Sequence, residues 1–188
     1  STNDGTSMLS YDFLQVNTVK SKIMAMAILD YYSAASKVNI RTALGTDLTL
    51  CIKGRKPGFF NGCCRDGRGL SSASVEVYVS MIEDRTEGTL ILDGSMGYIG
   101  IVEHPVAIRL CGGRIIEIEN NASGKKLKEY VNGFKDRRMF IASEFGIGLN
   151  TYSRCRGRCY IEDESAYGTF HIGFGRNLAL GGRQDAVG

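Results

Sequence analysis

Two short runs that alternate apolar and polar residues, Val106-Ala107-Ile108-Arg109-Leu110 and Arg114-Ile115-Ile116-Glu117-Ile118-Glu119, are separated by Cys111-Gly112-Gly113. Alternation puts every second side chain on one face of a strand. A Gly-Gly pair supplies the positive φ that a two-residue hairpin turn needs. A chain built from such units is committed to antiparallel pairing, and the unit recurs. Residues 38–42 and 48–52 flank the turn-rich Ala43-Leu44-Gly45-Thr46-Asp47, which predicts a second hairpin. Val75-Glu76-Val77-Tyr78-Val79 sets three valines on one face and Glu76 with Tyr78 on the other. Residues 88–92 read as a strand closing in Asp93-Gly94-Ser95, and residues 139–145 as a strand running into Gly146-Ile147-Gly148. Twenty-four glycines against two prolines fit a fold of many tight turns and close backbone approaches.

Only two stretches have helical spacing. Residues 10–37 place Phe13, Val16, Ile23, Ala27 and Tyr31 at helical intervals with lysines between them, and residues 122–135 do the same with Leu127, Tyr130, Val131 and Phe134, with Ser123 as N-cap. Residues 57–69 carry glycines and arginines without periodicity and predict a loop, and residues 1–7 a frayed end. The predicted class is α+β, with a large antiparallel or barrel-like sheet, a long N-terminal helix and one further helix.

Composition narrows the function. A net charge of +3, from 23 basic and 20 acidic residues mixed along the chain, provides no strong field for nucleic acid. The most apolar run, residues 23–29, is too short to span a bilayer and is flanked by Lys20, Lys22 and Asp30. The six cysteines lack zinc-finger spacing and include the adjacent pair Cys63-Cys64, so reduced thiols and a cytoplasmic location are expected. Arg154-Cys155-Arg156-Gly157-Arg158-Cys159 reads as a solvated loop, and His104 beside Pro105 as structural.

The chemistry concentrates near the C-terminal end. Glu162-Asp163-Glu164 precede a run in which Thr169, His171 and Gly173 share one face and Phe170, Ile172 and Phe174 the other, so the imidazole points away from the apolar face. A neutral imidazole on a rigid strand, with carboxylates close by and glycines leaving room, suits a metal site. A histidine bonded to backbone satisfies the same pattern. Glu76 and Glu144, each taken alone, read as solvated side chains.

The ordered series Glu87-Gly88-Thr89-Leu90-Ile91-Leu92-Asp93-Gly94-Ser95, Glu144-Phe145-Gly146-Ile147-Gly148-Leu149-Asn150, Asp163-Glu164, Gly168-Thr169-Phe170-His171-Ile172-Gly173-Phe174-Gly175-Arg176-Asn177 and Gly181-Gly182 resembles the C-terminal half of the aminopeptidase T and S family. That family includes the related iron enzymes, the 2,5-dihydroxypyridine 5,6-dioxygenases. The resemblance implies Glu76, Glu144 and His171 as metal ligands, Glu164 as general base, and Zn²⁺, Mn²⁺, Co²⁺ or Fe²⁺ as cofactor. It also implies a homodimer acting on a peptide or a small aromatic substrate, with neither nucleic acid nor membrane as partner. Residues 1–37 are then the tail of a preceding domain, and residues 38–188 a metal-site domain incomplete at its C-terminal end, because the family's His-x-Asp ligand pair is expected beyond Gly181-Gly182. The surplus of carboxylates favours a metal-dependent aminopeptidase. The seven-residue gap from Glu164 to His171, and the lack of a tyrosine after His171, favour a ring-cleaving Fe(II) dioxygenase. A catalytically inactive binding module with the same fold is the third reading.

Overall fold

The computed structural model describes residues 15–61 and 75–187. Its class is the expected α+β, with the strands divided into two antiparallel sheets. The first has the order β1 (Lys37–Arg41), β2 (Asp47–Cys51), β5 (Glu87–Leu92), β6 (Val106–Cys111) and β7 (Arg114–Ile118). The second has the order β3 (Gly58–Asn61), β4 (Val75–Ser80), β8 (Ala142–Gly148) and β9 (Phe170–Phe174). Three α-helices lie among the described residues: α1 (Thr18–Ala34), α2 (Ala122–Gly133) and α3 (Tyr160–Ser165). None of them is long and apolar enough to cross a membrane.

Both expected hairpins form. Gly112 and Gly113, at φ 56° and 74°, make the two-residue turn between β6 and β7. Val106, Ile108 and Leu110 turn inward there, while Arg109 stays exposed. Leu48 and Leu50 of β2 and Ile108 of β6 meet Val75, Val77 and Val79 of β4 and Phe145 of β8 in one core shared by the two sheets. Burying side chains of this size contributes roughly 1.5–3 kcal/mol each.

Several local expectations change. The helix covers Thr18–Ala34, with Asn17 accepting from Lys20 N as its cap, and Phe13 and the frayed end lie outside the described residues. Its buried side is Ser21, Ala25 and Tyr32, so Ile23, Ala27 and Tyr31 face outward. Seven consecutive apolar residues, 23–29, define no unique stripe, and packing decides: Ser21 Oγ donates to Leu149 O at 3.3 Å, and Tyr32 lies 5.7 Å from the Phe145 ring. The cap of α2 is Asn121, which accepts from Gly124 N. Ser123 Oγ accepts instead from Glu103 and His104 N–H groups. Residues 58–61, expected as loop, form β3, paired to β4 from Gly58↔Tyr78 to Asn61↔Val75; Cys63-Cys64 lies outside the described residues. Arg137–Phe140 is a 3-10 turn opened by Asp136, so β8 begins only at Ala142.

Candidate metal centre

Register decides which side chains can meet on the second sheet. Glu76 pairs with Phe60 and Gly148, Tyr78 with Gly58 and Gly146, and Ser80 with Glu144. Gly146 pairs in turn with His171, and Glu144 with Gly173 across a bulge. Paired residues share a face, so Glu76, Tyr78, Glu144 and His171 all stand on the side opposite the valine core. Glycines make that face passable. A Cβ on Gly146 would run into the His171 ring, and one on Gly148 into the backbone at the end of α3.

Glu76, Glu164 and His171 each offer a ligand atom, and these atoms lie within 4.8 Å of one another. His171 Nε2 stands 3.4 Å from Glu76 Oε2, with side-chain exposures of 16% and 4%. Burial lowers the His171 pKa to about 4, so the ring is neutral near pH 7 and the contact is no ion pair. The neutral ring is the form that ligates metals. Its Nδ1 is buried and has no hydrogen-bond partner among the described residues.

Glu144 lies beside this group rather than within it. Burial, and then repulsion from Glu76, push its carboxyl up to about 8. Glu164 is pushed well above the carboxylate range, by burial first and then by Glu76, Glu144 and Asp163. Carboxyls crowded in this way relax when a dication joins them. The residues present therefore fit a divalent ion: two carboxylates and an imidazole within reach of one point, a third carboxyl alongside, and a buried ring nitrogen without a partner. Such a donor set suits Zn²⁺, Mn²⁺, Co²⁺ or Fe²⁺. Of the expected ligands, the structure groups Glu76 and His171 with Glu164, the residue expected as general base, and sets Glu144 next to them.

The other two acids before the strand do structural work. Glu162 Oε1 accepts from Arg154 N, and Asp163 Oδ1 accepts from Arg156 N at 2.7 Å and Gly157 N at 3.1 Å. They fasten the loop that was expected to be solvated, in which Cys159 is in fact buried and both Cys155 and Cys159 are free thiols. Only Glu164 of the three reaches the centre.

Sequence reasoning passed over Asn177, quoted above only as part of a motif. It is 1% exposed, and its Nδ2 donates to Ser143 O at 3.0 Å and Glu83 Oε1 at 3.1 Å, while its Oδ1 accepts from Gln184 N at 2.8 Å. Residues 177–187 are thereby tied to β8 beside Glu144. Gly182 has to be glycine because a Cβ there would collide with the Asn177 amide, which gives the Gly181-Gly182 pair a physical reason.

A family model for NicX, 2,5-dihydroxypyridine 5,6-dioxygenase, matches residues 14–169. The chain belongs to this dioxygenase family. Among solved structures, the 2,5-dihydroxypyridine dioxygenase of Pseudomonas putida KT2440 is similar at a TM-score of 0.81 and 19% identity, over 99% of this chain and 56% of that one. Wild-type AmpT from Thermus thermophilus, an aminopeptidase T, is similar at a TM-score of 0.56 and 18% identity, over 85% and 42%. At these identities the two structures testify to the fold, and the chain spans about half the length of each. No curated protein sequence matches. The family match thus agrees with the resemblance read from the motifs.

Proposed function

We propose that the chain carries the metal-site half of a non-haem Fe(II) dioxygenase that opens a dihydroxypyridine-like ring, with Glu76, Glu164 and His171 holding the ion. The observation that carries this reading is the family match over residues 14–169, which spans the strands bearing Glu76 and Glu144 and the helix bearing Glu164. The sequence favoured an aminopeptidase because carboxylates outnumber histidines; family membership moves the balance to ring cleavage.

Ferrous iron, when bound, supplies the open coordination positions and the one-electron chemistry that reaction of O₂ with an aromatic diol requires. In ring opening of this class both oxygen atoms enter the product as one ring C–C bond breaks, so no external reductant is consumed. His171, kept neutral by burial, offers a ring nitrogen without first losing a proton. The Glu144 carboxyl stands alongside Glu76 and can exchange a proton with a substrate hydroxyl. The shell of α3 over β4 and β8 keeps bulk water from the carboxylates.

The test is O₂ uptake by the Fe²⁺-loaded protein with 2,5-dihydroxypyridine, run beside release of leucine from leucine p-nitroanilide with Mn²⁺ or Zn²⁺. Uptake that depends on both Fe²⁺ and the diol is expected. Leucine release without uptake would return the reading to the hydrolase.

A further inference from the structure

Two turns and the segment around Gly181 border a cleft that the metal group does not use. The turn after β2 is closed by Arg55 N–H donating to Ile52 O at 2.9 Å, and the turn after β4 by Arg85 N–H donating to Ile82 O at 3.1 Å. With Gly181 and Arg183 these turns line a cavity of about 550 Å³, a size that ligand pockets use. Its walls carry four cations, Lys53, Arg55, Lys56 and Arg183, against two carboxylates, Glu83 and Asp84. Gly54 and Gly181, at φ 73° and 83°, both face open space, since a Cβ on either would meet nothing within 4 Å.

The base of the cleft is fixed by the fold. The Arg55 side chain is only 10% exposed; its Nη2 donates to Glu83 Oε2 at 2.6 Å and its Nη1 to Gly181 O at 2.8 Å. Glu83 Oε1 accepts from Arg183 N and Asn177 Nδ2, so this carboxylate is satisfied from within the protein. Asp84 lies 3.8 Å from Arg85. Lys53, Lys56 and the Arg183 guanidinium are exposed and have no carboxylate within ion-pair distance among the described residues. Like charges gathered around one concavity concentrate a counter-ion there.

We propose that this cleft binds a small dianion, a phosphate monoester or a dicarboxylate, with Arg55 as the fixed charge at its base and Lys53, Lys56 and Arg183 meeting the charged oxygens. Guanidinium forks suit the oxygens of both groups, and lysines add point charges. The site stands apart from the dioxygenase reading, since none of its residues belongs to the metal group. Lysines that only solubilise the surface would show the same exposure, and the test separates the two roles.

Isothermal titration of the full chain with inorganic phosphate and, separately, with succinate, each at an ionic strength matched with sodium chloride, reads the cleft directly. Wild type is expected to bind one dianion per chain, and the tighter of the two names the source chemistry. Lys56→Gln combined with Arg183→Gln should weaken binding about tenfold. Lys128→Gln, which removes an exposed cation outside the cleft, should leave it unchanged. Glu83 is reached by the Arg183 backbone and both replaced side chains are exposed, so the double variant should melt at the wild-type temperature without ligand. No saturable binding of either dianion by wild type overturns the site, as does binding that the double variant leaves intact or that Lys128→Gln weakens equally.

Discussion

On the five-stranded sheet the face turned from the core carries Arg109 and Glu117, paired at 2.8 Å with exposures of 58% and 63%, and Thr49 donating to Asn39. On the four-stranded sheet the corresponding face carries Glu76, Tyr78, Glu144 and His171, none of them exposed. Both sheets arise from the same alternating pattern and share one apolar core. The difference lies in what covers the second face: α3 packs on β4 and β8 and brings Glu164 with it. A polar face left in water is a solubilising surface. The same face under a helix becomes a set of carboxyls with raised pKa and a neutral imidazole, ready for a cation.

The sharpest test of this division is to damage the first sheet. Leu50→Ala removes a fully buried side chain and is expected to cost about 2–5 kcal/mol of stability, read by urea denaturation. The metal affinity of the folded fraction should not change, and a parallel fall in affinity would show that the two faces are not independent.

Asn177 probes the support of the second sheet. Asn177→Ala strands the buried Gln184 N, leaves Ser143 O with Met81 N as its remaining donor, and takes a donor from Glu83. A loss of about 1–3 kcal/mol is expected, together with weaker metal binding, because β8 next to Glu144 loses its anchor. Loss of stability with unchanged metal affinity would confine Asn177 to the fold.

How much of this was legible in the sequence follows the range of the interactions. The hairpin at Gly112-Gly113 and the inward valines of β4 are set by neighbours a few residues apart, and local pattern suffices to predict them. The face of α1 was misassigned because residues 23–29 are apolar all round and only Leu149 and Phe145, far along the chain, choose the buried side. β3 was missed because four residues show no period. In the candidate site, alternation placed His171 on the polar face, whereas only the family resemblance linked it to Glu76 and Glu144. Promotion of Glu164 into the group depends on α3 folding over the sheet, which no spacing in the sequence encodes.

The dependence on pH sharpens the contrast further. Glu144 holds its proton more tightly folded than unfolded, so its contribution favours folding at low pH and is lost as pH rises from about 4.5 to about 8. His171 acts oppositely: its contribution is present above 6.5 and is lost as pH falls toward about 4. From pH 6.5 to 8 the carboxyl effect stands alone, and the metal-free protein should lose about 1–2 kcal/mol across that window. Glu144→Gln should flatten the profile, and so should a bound dication. A metal-free protein whose stability rises from pH 6.5 to 8 would contradict the crowded-carboxyl picture.

The smallest effect is expected on the solvated face. Arg109→Ala removes an exposed ion pair and should change stability by no more than about 1 kcal/mol, with iron content and O₂ uptake as in wild type. A larger effect on either would mean that the first sheet's outer face is more than a solubilising surface.

The most direct measurement is anaerobic Fe²⁺ binding by the purified protein, with iron per chain determined for wild type, His171→Ala, Glu164→Gln and Arg109→Ala. One ion per chain is predicted in wild type and Arg109→Ala. Affinity should fall by more than about 100-fold in His171→Ala and Glu164→Gln, since loss of a residue that merely orients a ligand typically costs 10–100-fold. Equal iron binding by all four proteins would contradict the placement of the metal on the covered face of the four-stranded sheet.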